Sequence, residues 1–187
     1  MEDKTCGINK ENLIHILDRV IAQKETCEIK ASIALSAIIV IIGLVLTSDC
    51  ISKIVAIFNR AIDVKELIEI LVVFINTISS ICFVAVGAFF LIRVFVPVTK
   101  MSRFSDQETN INSLIFFSSI AKHKSAQEYK SNLMDCSEKD WIDEIISQIY
   151  MCSLVCERKF QEYKIGLALS VAGFATFFIT IFWCMLP

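Results

Sequence analysis

Eight cysteines and two histidines are the residues of this 187-residue chain best suited to ligate a metal or act as nucleophiles. Their spacing serves neither role. His15 and His123 lie in different segments, and there is no HExxH motif, GxSxG elbow or phosphate-binding glycine-rich loop. Cys152 and Cys156 are four apart on a predicted helix and would form half of a tetrahedral site. No second pair lies nearby, so helix packing accounts for them better. His15 falls off the apolar stripe of its helix and reads as solvated. Asp140, Asp143 and Glu144 crowd a helix start, where carboxylates favour the dipole, and read as capping rather than an acid–base dyad. The expectation is therefore a protein that is not an enzyme, with no metal and no cofactor. The eight thiols form no CxxC pair, and Cys82 and Cys184 fall in apolar stretches. Such scatter suits a reducing compartment, with Cys50 the exception, since it lies in the predicted outer connection.

The polar residues that matter sit inside apolar runs. Asn76, Ser79 and Ser80 lie close together, and Gly87 follows. Gly166, Ser170 and Gly173 make one small-residue face, with Thr176 and Thr180 nearby. Small residues allow helices to approach closely, and Asn or Ser can hydrogen-bond between helices in lipid. Two uses stay open: packing within one chain, or an oligomeric contact or pore lining. No apolar run holds an ionisable residue at mid-depth, which argues against a proton-coupled transporter or a permanently open channel.

The elements that carry these residues are membrane helices. Of the chain, 55% is hydrophobic and 20% charged, against about 45–50% and about 25% in a soluble domain. Ala31 to Ser48, Ile70 to Ile92 and Ile165 to Pro187 carry no charge. A span needs about 17–25 apolar residues, and the first run is extended by Ile29 and the stem of Lys30. About 30 polar residues precede it, unlike a cleaved signal peptide. The fold class is all-α: an integral membrane protein with three transmembrane helices. The expected organisation is a cytoplasmic amphipathic helix (1–30), transmembrane helix 1 (31–48), an outer loop with an interfacial helix (49–69), transmembrane helix 2 (70–96), a cytoplasmic helical sensing region (97–164) and transmembrane helix 3 (165–187).

Lys and Arg concentrate before the first span and after the second, and none follows the third. The positive-inside rule places the N-terminus in the cytoplasm and the C-terminus outside. A formal net charge of −2 suggests no nucleic-acid partner. Leu13, Ile14, Leu17, Val20 and Ile21 follow helical spacing, and no Pro or Gly separates this helix from span one, so one helix is expected to run from Asn12 to Leu46. Ser137 with Asp140 signals a capped start for a second long helix, Glu138 to Met185, striped by Trp141, Ile142, Ile145, Ile146, Ile149 and Cys152. Asp49 is read as capping a short helix with Ile51, Ile54, Val55 and Phe58 on one face, and Asp63 with Glu66 as opening span two. Pro97 marks the end of span two or a kink just past it. One or two short helices are expected within Ser113–Tyr129.

Several motifs, in this order relative to the spans, resemble a known family. Cys27-Glu28-Ile29-Lys30-Ala31-Ser32 enters span one. Leu114-Ile115-Phe116-Phe117-Ser118-Ser119-Ile120-Ala121 is followed by Glu128-Tyr129. Gln148-Ile149 and Cys156-Glu157-Arg158-Lys159-Phe160 precede the last span. The chain, from about Leu13 onward, is similar to the transmembrane effectors of Pycsar, the pyrimidine cyclase system of bacterial anti-phage defence. That family usually carries Asp where Glu28 stands. The resemblance implies a bacterial inner-membrane protein that senses cyclic CMP or cyclic UMP made by a neighbouring cyclase. It then impairs the membrane lipid barrier, causing abortive infection. Separately, three spans in a small chain leave little room for a pathway in a monomer, so a homo-oligomer is expected. A cyclic pyrimidine nucleotide has one negative charge and a flat base, so its site needs cations or N–H donors and an aromatic or polar wall. The candidates on the inner side are Lys30, Arg103, Phe117, Lys122, Lys124 and Tyr129. The rival readings are a membrane-anchored scaffold that recruits a soluble partner, and an unregulated holin-like toxin. A cyclase encoded nearby favours the effector; lethality on expression alone favours the toxin.

Overall fold

The computed structural model describes residues 10–47, 52, 55, 64–97 and 113–185. Apart from residues 52 and 55, which are helical, these fold into five helices: α1 (Lys10–Thr47), α2 (Val64–Arg93), α3 (Phe117–Ile120), α4 (Ala126–Met134) and α5 (Glu138–Met185). No strand occurs among the described residues. α1, α2 and α5 are each long and apolar enough to cross a membrane. The all-α, three-span architecture read from the sequence is the observed one.

α1 has 38 residues and α5 has 48, both unbroken. No proline lies in either, so nothing removes a ladder hydrogen bond. At about 1.5 Å per residue, α5 is about 70 Å long. α2 begins at Val64, six residues before the uncharged run. Lys65, Glu66 and Glu69 are helical, because charge limits where a helix may be buried, not whether it forms. The sequence-based features at Asp49, Ile51, Ile54, Phe58 and Asp63, and Arg103, lie outside the described residues.

The chain divides into two compact units. The first comprises Met1–Thr26 and Pro97–Arg158. Its buried residues include Leu13 of α1 and Ile145, Met151 and Cys156 of α5. The Lys10 ammonium stands 5.4 Å above the Trp141 ring. Ser113 ties its own segment to α5: its hydroxyl donates to the Glu144 carboxylate and accepts from the Phe116 N–H at 3.0 Å. The expected short helices are two, α3 and α4. Ser125 caps α4 by accepting from the Glu128 N–H at 3.2 Å, while the Glu128 carboxylate accepts from the Lys124 N–H at 2.9 Å. Ser137 accepts from the Asp140 N–H at 3.2 Å, as expected of a cap. The reciprocal contact differs: the Ser137 hydroxyl donates to the Asp140 carboxylate at 2.6 Å.

The second unit comprises Cys27–Val96 and Lys159–Pro187. Cys27, Ala31, Ile38, Leu91 and Val94 form its buried core, with Leu35, Val84, Phe160 and Phe174 packed against it. Much of its bulk faces outward: Ile33, Ile39, Leu44, Val72, Ile75, Ile179 and Phe182 are all exposed. Surface of that kind is stable against lipid and not against water.

Candidate functional site

A connected polar constellation lies at one end of the second unit, where α2 terminates. Helix α2 stops at Arg93, and three tight turns follow. The carbonyls of Leu91, Ile92 and Arg93 accept from the N–H groups of Val94, Phe95 and Val96 at 3.3, 3.0 and 3.1 Å. The next carbonyl in this series, that of Val94, would look to residue 97. Pro97 has no N–H to give. The Lys159 ammonium takes its place, donating to the Val94 carbonyl and to the Glu28 carboxylate, the latter at 2.7 Å. Lys159 is 6% exposed. A buried ammonium is tolerated only when its protons are engaged. One turn along α5, Glu162 pairs with Arg93 at 2.8 Å. The Arg93 guanidinium also lies 5.9 and 5.8 Å from the Phe89 and Phe90 rings. One side chain of α5 therefore holds α1 and the end of α2 together, and a second adds another bond to α2.

From there α2 and α5 run in close contact. A methyl group added at Gly87 would stand 2.7 Å from the Ser170 backbone nitrogen, and one at Gly166 2.8 Å from the Gly87 carbonyl. Ser80 donates to the Gly173 carbonyl at 2.7 Å. The Asn76 amide donates to the Thr180 hydroxyl and, at 3.4 Å, to the Thr176 carbonyl. Of the two uses open for these small and polar residues, packing within one chain is the one this geometry displays.

The proposed ligand-contacting residues distribute unevenly. Phe117, Lys122, Lys124 and Tyr129 all belong to the first unit. Phe117 is 64% exposed, with its ring 4.8 Å from that of Phe116. Lys122 and Lys124 are exposed. Tyr129 is half-buried; its hydroxyl donates to the Leu114 carbonyl at 2.8 Å, and its ring lies 5.4 Å from His123. Its hydroxyl is thus engaged in holding α4 to the preceding segment. Lys30 is an exposed residue of the second unit.

The first unit also holds two polar atoms that the sequence reading did not single out. The Trp141 indole nitrogen and the Gln148 side-chain carbonyl are both shielded from solvent, with no hydrogen-bond partner among the described residues. They are seven residues apart on α5, so they share a face, about 10 Å apart along the axis. The Gln148 amide nitrogen lies 3.6 Å from the Cys152 sulfur. Burial pushes the Cys152 thiol pKa up, while the Lys24 ammonium and the Gln148 hydrogen bond pull it back. No group of three His, Cys, Asp or Glu among the described residues is arranged to hold a metal.

The fold and its polar clamp define a helical integral membrane protein with a compact helical extension. Comparison with known proteins makes the class specific: the family model for the Pycsar effector protein domain matches residues 12–186. The chain belongs to that family and is an anti-phage defence effector of the membrane. It is similar to the Pycsar effector protein GmPycTM of Gulbenkiania mobilis, with 24% identity over 180 residues, covering 91% of this chain and 90% of the relative. No solved structure matches it.

Proposed function

We propose that this effector responds to a cyclic pyrimidine mononucleotide, cyclic CMP or cyclic UMP, and on binding it impairs the bacterial inner membrane so that infection is aborted. The nucleotide is the product of a cyclase encoded beside it. The observation that carries the reading is the family match, which takes in the first unit as well as the three spans. In the proposed orientation the N-terminus and the region 97–164 are cytoplasmic and the C-terminus is outside, in line with the placement of Lys and Arg. Membrane damage is the work of a homo-oligomer, since three spans leave little room for a pathway in one chain.

The sensing surface is assigned to the first unit. Lys122 and Lys124 supply cations for the phosphate, and Phe117 an exposed ring for the base. Arg103 and Lys30 remain cations of the proposed inner face, and Tyr129 a wall residue. The unpartnered Trp141 N–H and Gln148 carbonyl support the same assignment. A buried donor and acceptor without partners cost stability until something pairs with them, and a pyrimidine edge carries both kinds of group. Ligand shifts the population only by binding the active state more tightly than the resting one. Helices α1 and α5, continuous from the first unit into the second, are the route for that bias.

Calorimetry on the detergent-solubilised full chain tests this reading. Cyclic CMP or cyclic UMP is expected to give saturable heat, weakened by Lys122→Ala and by Gln148→Leu. Absence of heat with both nucleotides would remove the sensor role. Labelling of a single cysteine at position 187 from outside, in a cysteine-free background, tests the orientation; failure to label reverses it.

A further inference from the structure

Within the second unit, an apolar cavity of about 500 Å³ opens between the spans. Ile38, Ile42 and Val45 of α1 form one wall, Ile81, Ala85 and Ala88 of α2 the floor, and Phe174 and Phe177 of α5 the far side. Ala85 and Ala88 contribute only small side chains to its lining. Its polar lining residues, Thr77 and Ser80, both spend their hydroxyl protons on backbone carbonyls, of Val73 at 2.8 Å and Gly173 at 2.7 Å. Nothing in the wall calls for water. The lining residues Ile81 and Leu46 are 60% and 65% exposed, so the cavity opens sideways to the bilayer.

We infer that this cavity is a binding site for one acyl chain of a membrane phospholipid. An apolar cavity several times larger than the ~150 Å³ voids that already take up benzene does not stay empty in contact with hydrocarbon. Its length fits one leaflet: Thr77 to Ala88 rises about 16 Å at about 1.5 Å per residue, half of a hydrocarbon core of about 30 Å. A volume of about 500 Å³ over that length is room for a single extended hydrocarbon chain. The bound chain packs α1 against α2 where their own side chains leave a gap, so lipid is part of the folded second unit.

Native mass spectrometry of the full chain, taken from the inner membrane into a mild detergent, tests the assignment. The wild type is expected to keep one phospholipid mass per chain under activation that strips looser lipid. Ala88→Phe from the floor and Val45→Phe from the α1 wall are each expected to lower the lipid-bound fraction at least fivefold at unchanged helix content. Gly43→Ala, at a position with no neighbour within 4 Å, is expected to keep it. Two filling variants on different helices leave a usable result if one folds poorly. The inference is overturned if the wild type retains no phospholipid, or if both filling variants retain as much as the wild type. It is equally overturned if the retained mass is a second copy of the chain that filling displaces.

Discussion

Replacing Lys159 by Met keeps most of the apolar stem and removes the ammonium, which leaves two acceptors unpaired. They are not equivalent. The Glu28 side chain is 34% exposed and can turn to water, so its loss is small. The Val94 carbonyl belongs to a residue with 0% exposure and has no such recourse. A buried acceptor stripped of its partner costs about 1–3 kcal/mol, so Lys159→Met is expected to destabilise the second unit by about 2–3 kcal/mol. Glu28→Ala acts the other way round. It strands a buried ammonium with one carbonyl, and breaking a buried pair from that side costs about 3–5 kcal/mol. The carboxylate should therefore matter more than the lysine, and the double variant should cost less than the sum of the two. Pro97→Ala adds a further arm, because alanine restores an N–H three residues beyond Val94. It is expected to recover about 1 kcal/mol in the Lys159→Met background, the net worth of one hydrogen bond. The assay is reversible unfolding of the full chain in detergent, read by circular dichroism. The reasoning fails if Lys159→Met is the more damaging single change, if the two losses add, or if Pro97→Ala gives no recovery.

Other outcomes follow from the same geometry. Gly87→Ala forces a methyl group against backbone atoms of α5 and is expected to cost about 1–3 kcal/mol, whereas Gly43→Ala meets nothing and should leave stability unchanged or raise it by up to about 1 kcal/mol; parallel unfolding curves compare them. Asn76→Leu, which loses its bonds to Thr180 and Thr176, is expected to cost about 0.6–2 kcal/mol by the same measurement. The Cys152 thiol, its pKa held up by burial, should alkylate slowly at neutral pH, and Lys24→Met should slow it further; mass spectrometry of iodoacetamide-treated protein reads the rate. With a raised folded-state pKa, the contribution of Cys152 to stability is complete below its unfolded pKa. It is lost as pH climbs through the folded value, so Cys152→Ala should flatten any alkaline loss of stability.

The long helices were readable because their signals are local. Glu138 to Met185 lacks proline and is capped at Ser137, and α5 has those bounds. The run from Asn12 to Leu46 lies inside α1, which extends to Lys10 and Thr47. The small-residue faces of α2 and α5 were also visible as faces, although only the structure shows them meeting each other. The Ser125–Glu128 cap was missed despite its S-x-x-E signature. The Lys159–Glu28 bond joins residues 131 apart, and no periodicity reports a contact of that separation. One clue did exist: Pro97 has no N–H to offer the Val94 carbonyl, which left that acceptor open to another donor. Tyr129 shows the opposite limit, since its sequence context advertised a ring and concealed that its hydroxyl was already engaged.

Most of the hydroxyl groups along the described spans have their protons engaged, which bears on whether one chain alone can conduct. Ser36, Thr47, Thr77, Ser170, Thr176 and Thr180 each give their proton to a carbonyl of their own helix, and Ser80 to a carbonyl of α5. These protons are not on offer to a file of water molecules. A solitary copy in a bilayer should therefore be electrically silent. Any leak should grow more steeply than linearly with the surface density of the protein, and a doubling of expression should matter far more than twofold to the membrane potential.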